Sequence, residues 1–186
     1  MSETQWRVAD GAEGGPRLAE AVLAAVHEDA DRMAWIRAGA VATVGDASQD
    51  PAAAARFQTM LELAYLVASA DGFAVTERVS LAALLERITQ AAVDHDTLEQ
   101  HFRDLDDAVA QLGRHERLAR AAAELGDGAQ AADVIGLVAT VALADGHLST
   151  PEFEALAELG RHVAIGRAEV LALTRAAVAR VEAHLR

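Results

Sequence analysis

Asp145, His147 and Glu152 lie within eight residues of one another around a single Asp-Gly turn, and they carry the chemistry this sequence offers most plainly. Carboxylate oxygens suit hard cations such as calcium and magnesium, and an imidazole beside them tilts a site toward zinc. Asp71 and Glu77, around an earlier Asp-Gly turn, form a sparser second copy. If the two turns lie side by side, these carboxylates converge, and a cation or protonation has to relieve their repulsion. The same residues also have a purely architectural reading. Ser149-Thr150-Pro151-Glu152 has the spacing of a capping box, in which Ser149 and Glu152 satisfy each other's backbone N–H groups. An acidic residue in a first helical turn is favoured by the helix dipole, and Asp-Gly is an ordinary helix stop. His147 alone reads equally as an exposed turn histidine. The twelve-residue ligand spacing of an EF-hand is absent.

Other chemistry is sparse. Asp94-His95-Asp96 is read as a loop whose adjacent side chains would not converge on one ion, and Asp96 with Glu99 has capping-box spacing. Asp104, Asp106 and Asp107 read as a solvated helix face. Glu62 is the only charge on its helix between Arg56 and Asp71, so it is either an exposed edge or a buried polar contact. No phosphate-cradling glycine loop follows a strand, and neither Gly-x-Ser-x-Gly nor His-Glu-x-x-His occurs. The chain has no cysteine, which excludes disulfides, thiolate metal sites and cysteine catalysis. These features predict a protein that is not an enzyme.

A formal net charge of −13, with no basic run longer than a pair, argues against nucleic acid and anionic membrane surfaces as partners. Divalent cations or a basic protein face are electrostatically easier, and the charge also serves plain solubility. No secretory signal is visible at the N-terminus. The longest strongly apolar run, Val134 to Ala144, is about half the length a membrane-spanning helix needs. The expectation is a cytoplasmic protein with no direct membrane insertion.

The elements that must position the acidic turns are helical. Apolar residues make up 52% of the chain and aromatics only 4%, so the core has to be built from Ala, Leu and Val. Residues 1–15, polar and Gly-rich, read as a flexible arm. Residues 16–49 form an N-terminal helical segment with Leu18, Val22, Leu23 and Val26 on one face and a further stretch through Met33, Ile36 and Val41. Asp50 is suited to cap a helix that starts at Pro51 and runs to about Ala70, apolar nearly all round in its second half. Further helices are expected from about Thr76 to Ala92, up to Leu112, and through Leu118 and Ala122 to a turn at Gly126-Asp127-Gly128. The last three are expected from about Ala129 to Ala144, Thr150 to Val163, and Arg167 onward. No stretch has convincing strand alternation. The fold class is all-α, with roughly seven to eight helices in one compact domain.

Two segments repeat. Leu66 to Gly72 reads LVASADG and Thr140 to Gly146 reads TVALADG. Leu63 aligns with Leu137, and a one-residue gap then aligns Glu77 with Glu152, Leu81 with Leu156, and Leu84 with Leu159. The short linkers predict two antiparallel helix–Asp-Gly–helix hairpins, near residues 51–112 and 129–186, burying their apolar sides together with pseudo-two-fold symmetry.

These paired Ala-Asp-Gly units, each followed by an acidic residue opening the next helix, resemble the TerB-like tellurite resistance family. The second unit, ADGHLSTPEFEAL, is close to that family's pattern; the first, ADGFAVTERVSL, departs from it, with a turn one residue shorter and Arg78 where an ungapped alignment places the acid. The resemblance covers roughly residues 50–180 and leaves the segment before it unexplained. It implies an all-helical domain tied to tellurite and other stress responses in bacteria, metal binding through acidic residues, and association with membrane-linked multiprotein complexes. On that basis the expected function is a stress-response protein that binds divalent metal (calcium, magnesium or zinc), a protein partner, or both. Asp71, Glu77, Asp145 and Glu152 would be the ligands, with His147 beside them. The alternative is a metal-independent helical scaffold or oligomerisation module. Its sign would be an exposed apolar face on the N-terminal helices around Met33, Trp35 and Ile36.

Overall fold

A computed structural model of the chain describes residues 6–8, 16–45, 50–72, 75–125 and 128–186, without the side chains of residues 75–77 and 129. The described residues form nine α-helices and one two-stranded ribbon. The helices are α1 (Pro16–His27), α2 (Ala30–Val44), α3 (Pro51–Ala68), α4 (Val75–Ile88), α5 (His95–Leu112), α6 (Arg114–Leu125), α7 (Ala129–Ala142), α8 (Thr150–His162) and α9 (Arg167–Leu185). None of them is long and apolar enough to cross a membrane.

Local chemistry sets most helix starts. Asp50 caps α3 by accepting from the Ala53 N–H at 3.0 Å, with Pro51 in the first turn. Asp29 accepts from the Arg32 N–H and separates α1 from α2, so the N-terminal segment is two helices. At α5 the cap is Asp94, which accepts from the Thr97 N–H at 2.8 Å. The expected Asp96–Glu99 capping box is therefore not formed. Asp96 already lies in the first turn, and Glu99 is buried against Arg78 and Arg103.

Helix α3 is the centre. Leu63, Ala64, Tyr65, Leu66 and Val67 are all buried, and α2, α6, α7 and α8 pack around it. α7, whose Val134, Ile135, Leu137, Val138, Ala139 and Val141 are buried, lies against α3, α9, α1 and α8. α4 packs on α5 and α1, tied to α5 by Arg78, which reaches Glu99 and Asp106. Its close approaches are thus to these helices and not back along α3. The antiparallel hairpin expected of α3 and α4 is therefore not what the packing shows, since Arg78 holds α4 to α5. Asp106 does not lie on a purely solvated face: it accepts from the Tyr65 hydroxyl as well as from Arg78.

Part of the N-terminal arm read as flexible is ordered. The strand β1 (Trp6–Arg7) pairs antiparallel with β2 (His147–Leu148), and the Val8 N–H donates to the Gly146 carbonyl at 3.0 Å. Trp6 packs near Phe153 of α8. Residues 1–5 and 9–15 of that arm, and Gly126-Asp127 of the expected turn, lie outside the described residues. The apolar face around Met33, Trp35 and Ile36 that would mark the scaffold alternative is largely covered. Ile36 is fully buried, and Met33 and Trp35 pack against the core.

Helices α2 and α3 touch backbone to backbone at Gly39. A Cβ on Gly39 of α2 would stand 2.5 Å from the Phe57 Cβ and 2.7 Å from the Ala53 carbonyl of α3. On Gly136 of α7 it would meet only the Arg180 guanidinium, at 3.9 Å. Gly39→Ala should therefore destabilise the fold by about 1–3 kcal/mol through overpacking. Gly136→Ala should be neutral or stabilise by up to about 1 kcal/mol through helix propensity. Urea unfolding of the two variants checks this, and equal effects would contradict the packing described.

Candidate functional site

The two Asp-Gly turns are built in the same way. After α3 the chain turns through Ser69, Ala70 and Asp71, and the Gly72 N–H donates to the Ser69 carbonyl at 3.3 Å. After α7 a 3-10 turn, Leu143–Asp145, ends with the Gly146 N–H donating to the Leu143 carbonyl at 3.0 Å. Both glycines have φ in the left-handed region, 102° and 94°, where a side chain would be strained. Each glycine thus lets the chain leave the helix directly after the aspartate.

Asp145 is held within its own turn. Its Oδ1 accepts from the His147 N–H at 3.1 Å, and its Oδ2 lies 3.0 Å from His147 Nδ1. His147 is therefore the partner of Asp145 and sits in the β2 strand, not free in the turn. Glu152 closes the capping box: its Oε2 accepts from the Ser149 N–H at 2.7 Å, and its own N–H donates to Ser149 Oγ at 3.3 Å. It is only 5% exposed.

The electrostatics join the turns. Burial pushes the Glu152 carboxyl up to about 8; the Ser149 hydrogen bonds oppose this, while the charges of Asp71 and Asp145 add to it. Burial also pushes Asp145 up, opposed by His147 and reinforced by Asp71. Asp71, exposed at the first turn, therefore bears on both residues of the second. Three of the four acids expected to converge share one field, and the Glu77 side chain lies outside the described residues. Their ligand atoms are not drawn into one tight cage: among the described side chains, the only trio of His or acidic groups within 4.8 Å of one another is elsewhere.

That trio, His115, Glu158 and His162, was not anticipated from the sequence. Glu158 and His162 are one turn apart on α8, a local signal, but His115 opens α6, 43 residues before Glu158, and nothing in the sequence places it there. Glu62, ambiguous in the sequence, is a mostly buried partner of Arg117, 2.5 Å away, and burial pushes its carboxyl up against the pull of that guanidinium.

Compared with family models, with curated proteins and with solved structures, the chain gave no match.

The raised Glu152 carboxyl has a signed consequence for stability. Below about pH 4.5 the group is protonated in folded and unfolded chains alike. As pH climbs from there toward about 8, the unfolded chain releases the proton and the folded chain keeps it, so stability is lost until the folded carboxyl ionises. Glu152→Gln keeps the capping geometry and carries no such proton. Its stability relative to wild type should improve between pH 5 and pH 8.5, by an amount on the order of a few kcal/mol. Urea unfolding in chelator at both pH values measures this. A variant equally weakened at both would show that Glu152 carries no such penalty.

Proposed function

We propose that this chain is a non-enzymatic, TerB-like stress-response protein that binds a divalent cation between its two acidic helix turns. The observation that carries the reading is Glu152. A carboxylate enclosed by protein, beside a second raised carboxylate and within the field of a third, is costly to ionise unless positive charge joins it. A hard divalent cation (calcium, magnesium or manganese) supplies that charge and prefers oxygen ligands. The overall charge of −13 favours its approach.

The duplicated unit supports the same reading. The matching Gly72 and Gly146 hydrogen bonds, with the burial of Leu63 and Leu137, Leu81 and Leu156, and Leu84 and Leu159 at aligned positions, are what two copies of one helix–Asp-Gly–helix unit would produce. Asp71, Asp145 and Glu152 then act as ligands or as charge recognition for a basic protein partner in a stress complex, not in proton transfer. His147 orients Asp145. The link to tellurite rests on the resemblance of ADGHLSTPEFEAL to the family pattern.

The test is calorimetric titration of chelator-treated protein with calcium, magnesium and manganese, with Glu152→Gln alongside. Wild type should bind one of them saturably and the variant should lose that binding with its helical signal intact. No binding by wild type, or equal binding by the variant, would sink the proposal.

A further inference from the structure

Helices α6 and α8 meet where His115, the second residue of α6, reaches across to Glu158 and His162 in the last turns of α8. The His115 Nδ1 contacts Glu158 Oε1 directly, and His162 Nε2 lies 3.8 Å from the same oxygen. One ligand atom from each of the three side chains lies within 4.8 Å of the others. The imidazole rings are 5.9 Å apart between centroids and tilted by 53°, so neither covers the other.

Packing does not account for this cluster. The His115 side chain is 76% exposed and so buries little apolar surface. An ion pair with one partner this exposed contributes little to stability. A carboxylate oxygen already met by one imidazole makes no hydrogen bond to the second at 3.8 Å. An ion between them would give both imidazoles and the carboxylate a common partner.

The backbone beneath the three residues is fixed on both sides. Arg114, immediately before His115, donates to the Leu66 carbonyl at 2.5 Å, to Ser69 Oγ at 2.7 Å and to the Ser69 carbonyl at 2.6 Å, which ties the start of α6 to the end of α3. It also turns the guanidinium toward α3, where its charge is engaged. On α8, Gly160 lies between Glu158 and His162 and is clamped against α9. A Cβ there would be 2.5 Å from Val170 Cγ2 and 2.9 Å from the Ile165 carbonyl. The ligand-bearing turn is therefore held, while the exposed side chains keep the freedom to open around an ion. That turn is also the negative end of the α8 dipole, which favours a cation.

We propose that His115, Glu158 and His162 form a surface site for a zinc-class divalent transition-metal ion, held by two imidazole nitrogens and one carboxylate oxygen, with its remaining positions open to water. Two nitrogens and one oxygen suit zinc, cobalt or nickel better than calcium or magnesium. Three protein ligands with an open position make an exchangeable site, not a closed structural one. The site is separate from the acidic turns. Glu158 lies about 9 Å along α8 from Glu152 and about 120° around it, by helix geometry alone.

The experiment uses the full chain, stripped with chelator, titrated with zinc chloride and separately with calcium chloride. Wild type, His115→Ala, His162→Ala and Glu152→Gln are compared, each checked for helical content. A parallel titration with cobalt chloride reads the visible absorption that nitrogen ligation imposes. Wild type should bind zinc. Each histidine variant should lose at least the ~10–100-fold that removal of even an outer-sphere partner costs. Glu152→Gln should leave zinc affinity unchanged. The His115 side chain is 76% exposed, so His115→Ala should fold as wild type does; the His162 side chain is partly covered, and the helical-content check decides for His162→Ala. Zinc binding that survives both histidine changes, that disappears only in Glu152→Gln, or that is absent from wild type would overturn the proposal. Calcium binding lost in Glu152→Gln bears on the acidic turns alone, so failure of one site leaves the other standing.

Discussion

The carbonyl groups at the end of α3 must find donors inside the protein, because α3 is buried through the half that leads to them. Arg114 supplies those donors, binding the carbonyls of Leu66 and Ser69. Burial lowers the Arg114 pKa, and Tyr65, Asp71 and Asp106 counter that by favouring the charged form. Removing the guanidinium would take that donor from the Leu66 carbonyl, the case in which a lost hydrogen bond is most costly, while the Ser69 carbonyl would keep the Gly72 N–H. One side chain thus seals the central helix, sets where α6 begins and puts a positive charge near the first Asp-Gly turn.

A similar economy governs the second turn. Asp145 is oriented by His147, and His147 is held in register by the Trp6–Arg7 strand. Glu152 is oriented by Ser149. The capping box is a sufficient reason for a carboxylate at this position, but not for surrounding it with protein and two further acids. An exposed glutamate would cap equally well without the desolvation penalty. The difference between what capping needs and what burial costs is the physical ground on which the proposed cation site rests.

What was legible in the sequence was what depends on near neighbours. Asp50 with Pro51, Ser149 with Glu152, and the glycines after Asp71 and Asp145 all act within four residues, and their roles in the structure follow from spacing. The α5 start was misread because Asp94 and Asp96 are both good caps, and only the path of the chain out of Val93 chooses between them. The Trp6–Arg7 strand was invisible because two residues carry no alternation and their partner is His147–Leu148. Whether Met33, Trp35 and Ile36 face solvent could not be read from spacing, because no repeat partner is in sight for them; Ile36 is fully enclosed and the other two rest on the core. The His115 cluster failed for the same reason in reverse: its chemistry depends on a contact between helices that no spacing encodes.

Helix α8 links the two proposed sites, and its two ends differ. Its first turn is anchored by a capping box, and there the positive end of the helix dipole stabilises a negative charge such as Glu152. Its last turn is clamped by Gly160 against α9, and there the dipole is negative and suits a cation on Glu158 and His162. At the first turn the proposed ligands are oxygens in a largely enclosed setting; at the last they include nitrogens, with His115 open to water. Enclosed oxygen ligands select by charge density and give up their protons reluctantly, whereas open imidazoles select by softness and exchange freely. The two proposed sites therefore sit at opposite ends of one thirteen-residue helix, so each can be altered by its own substitutions.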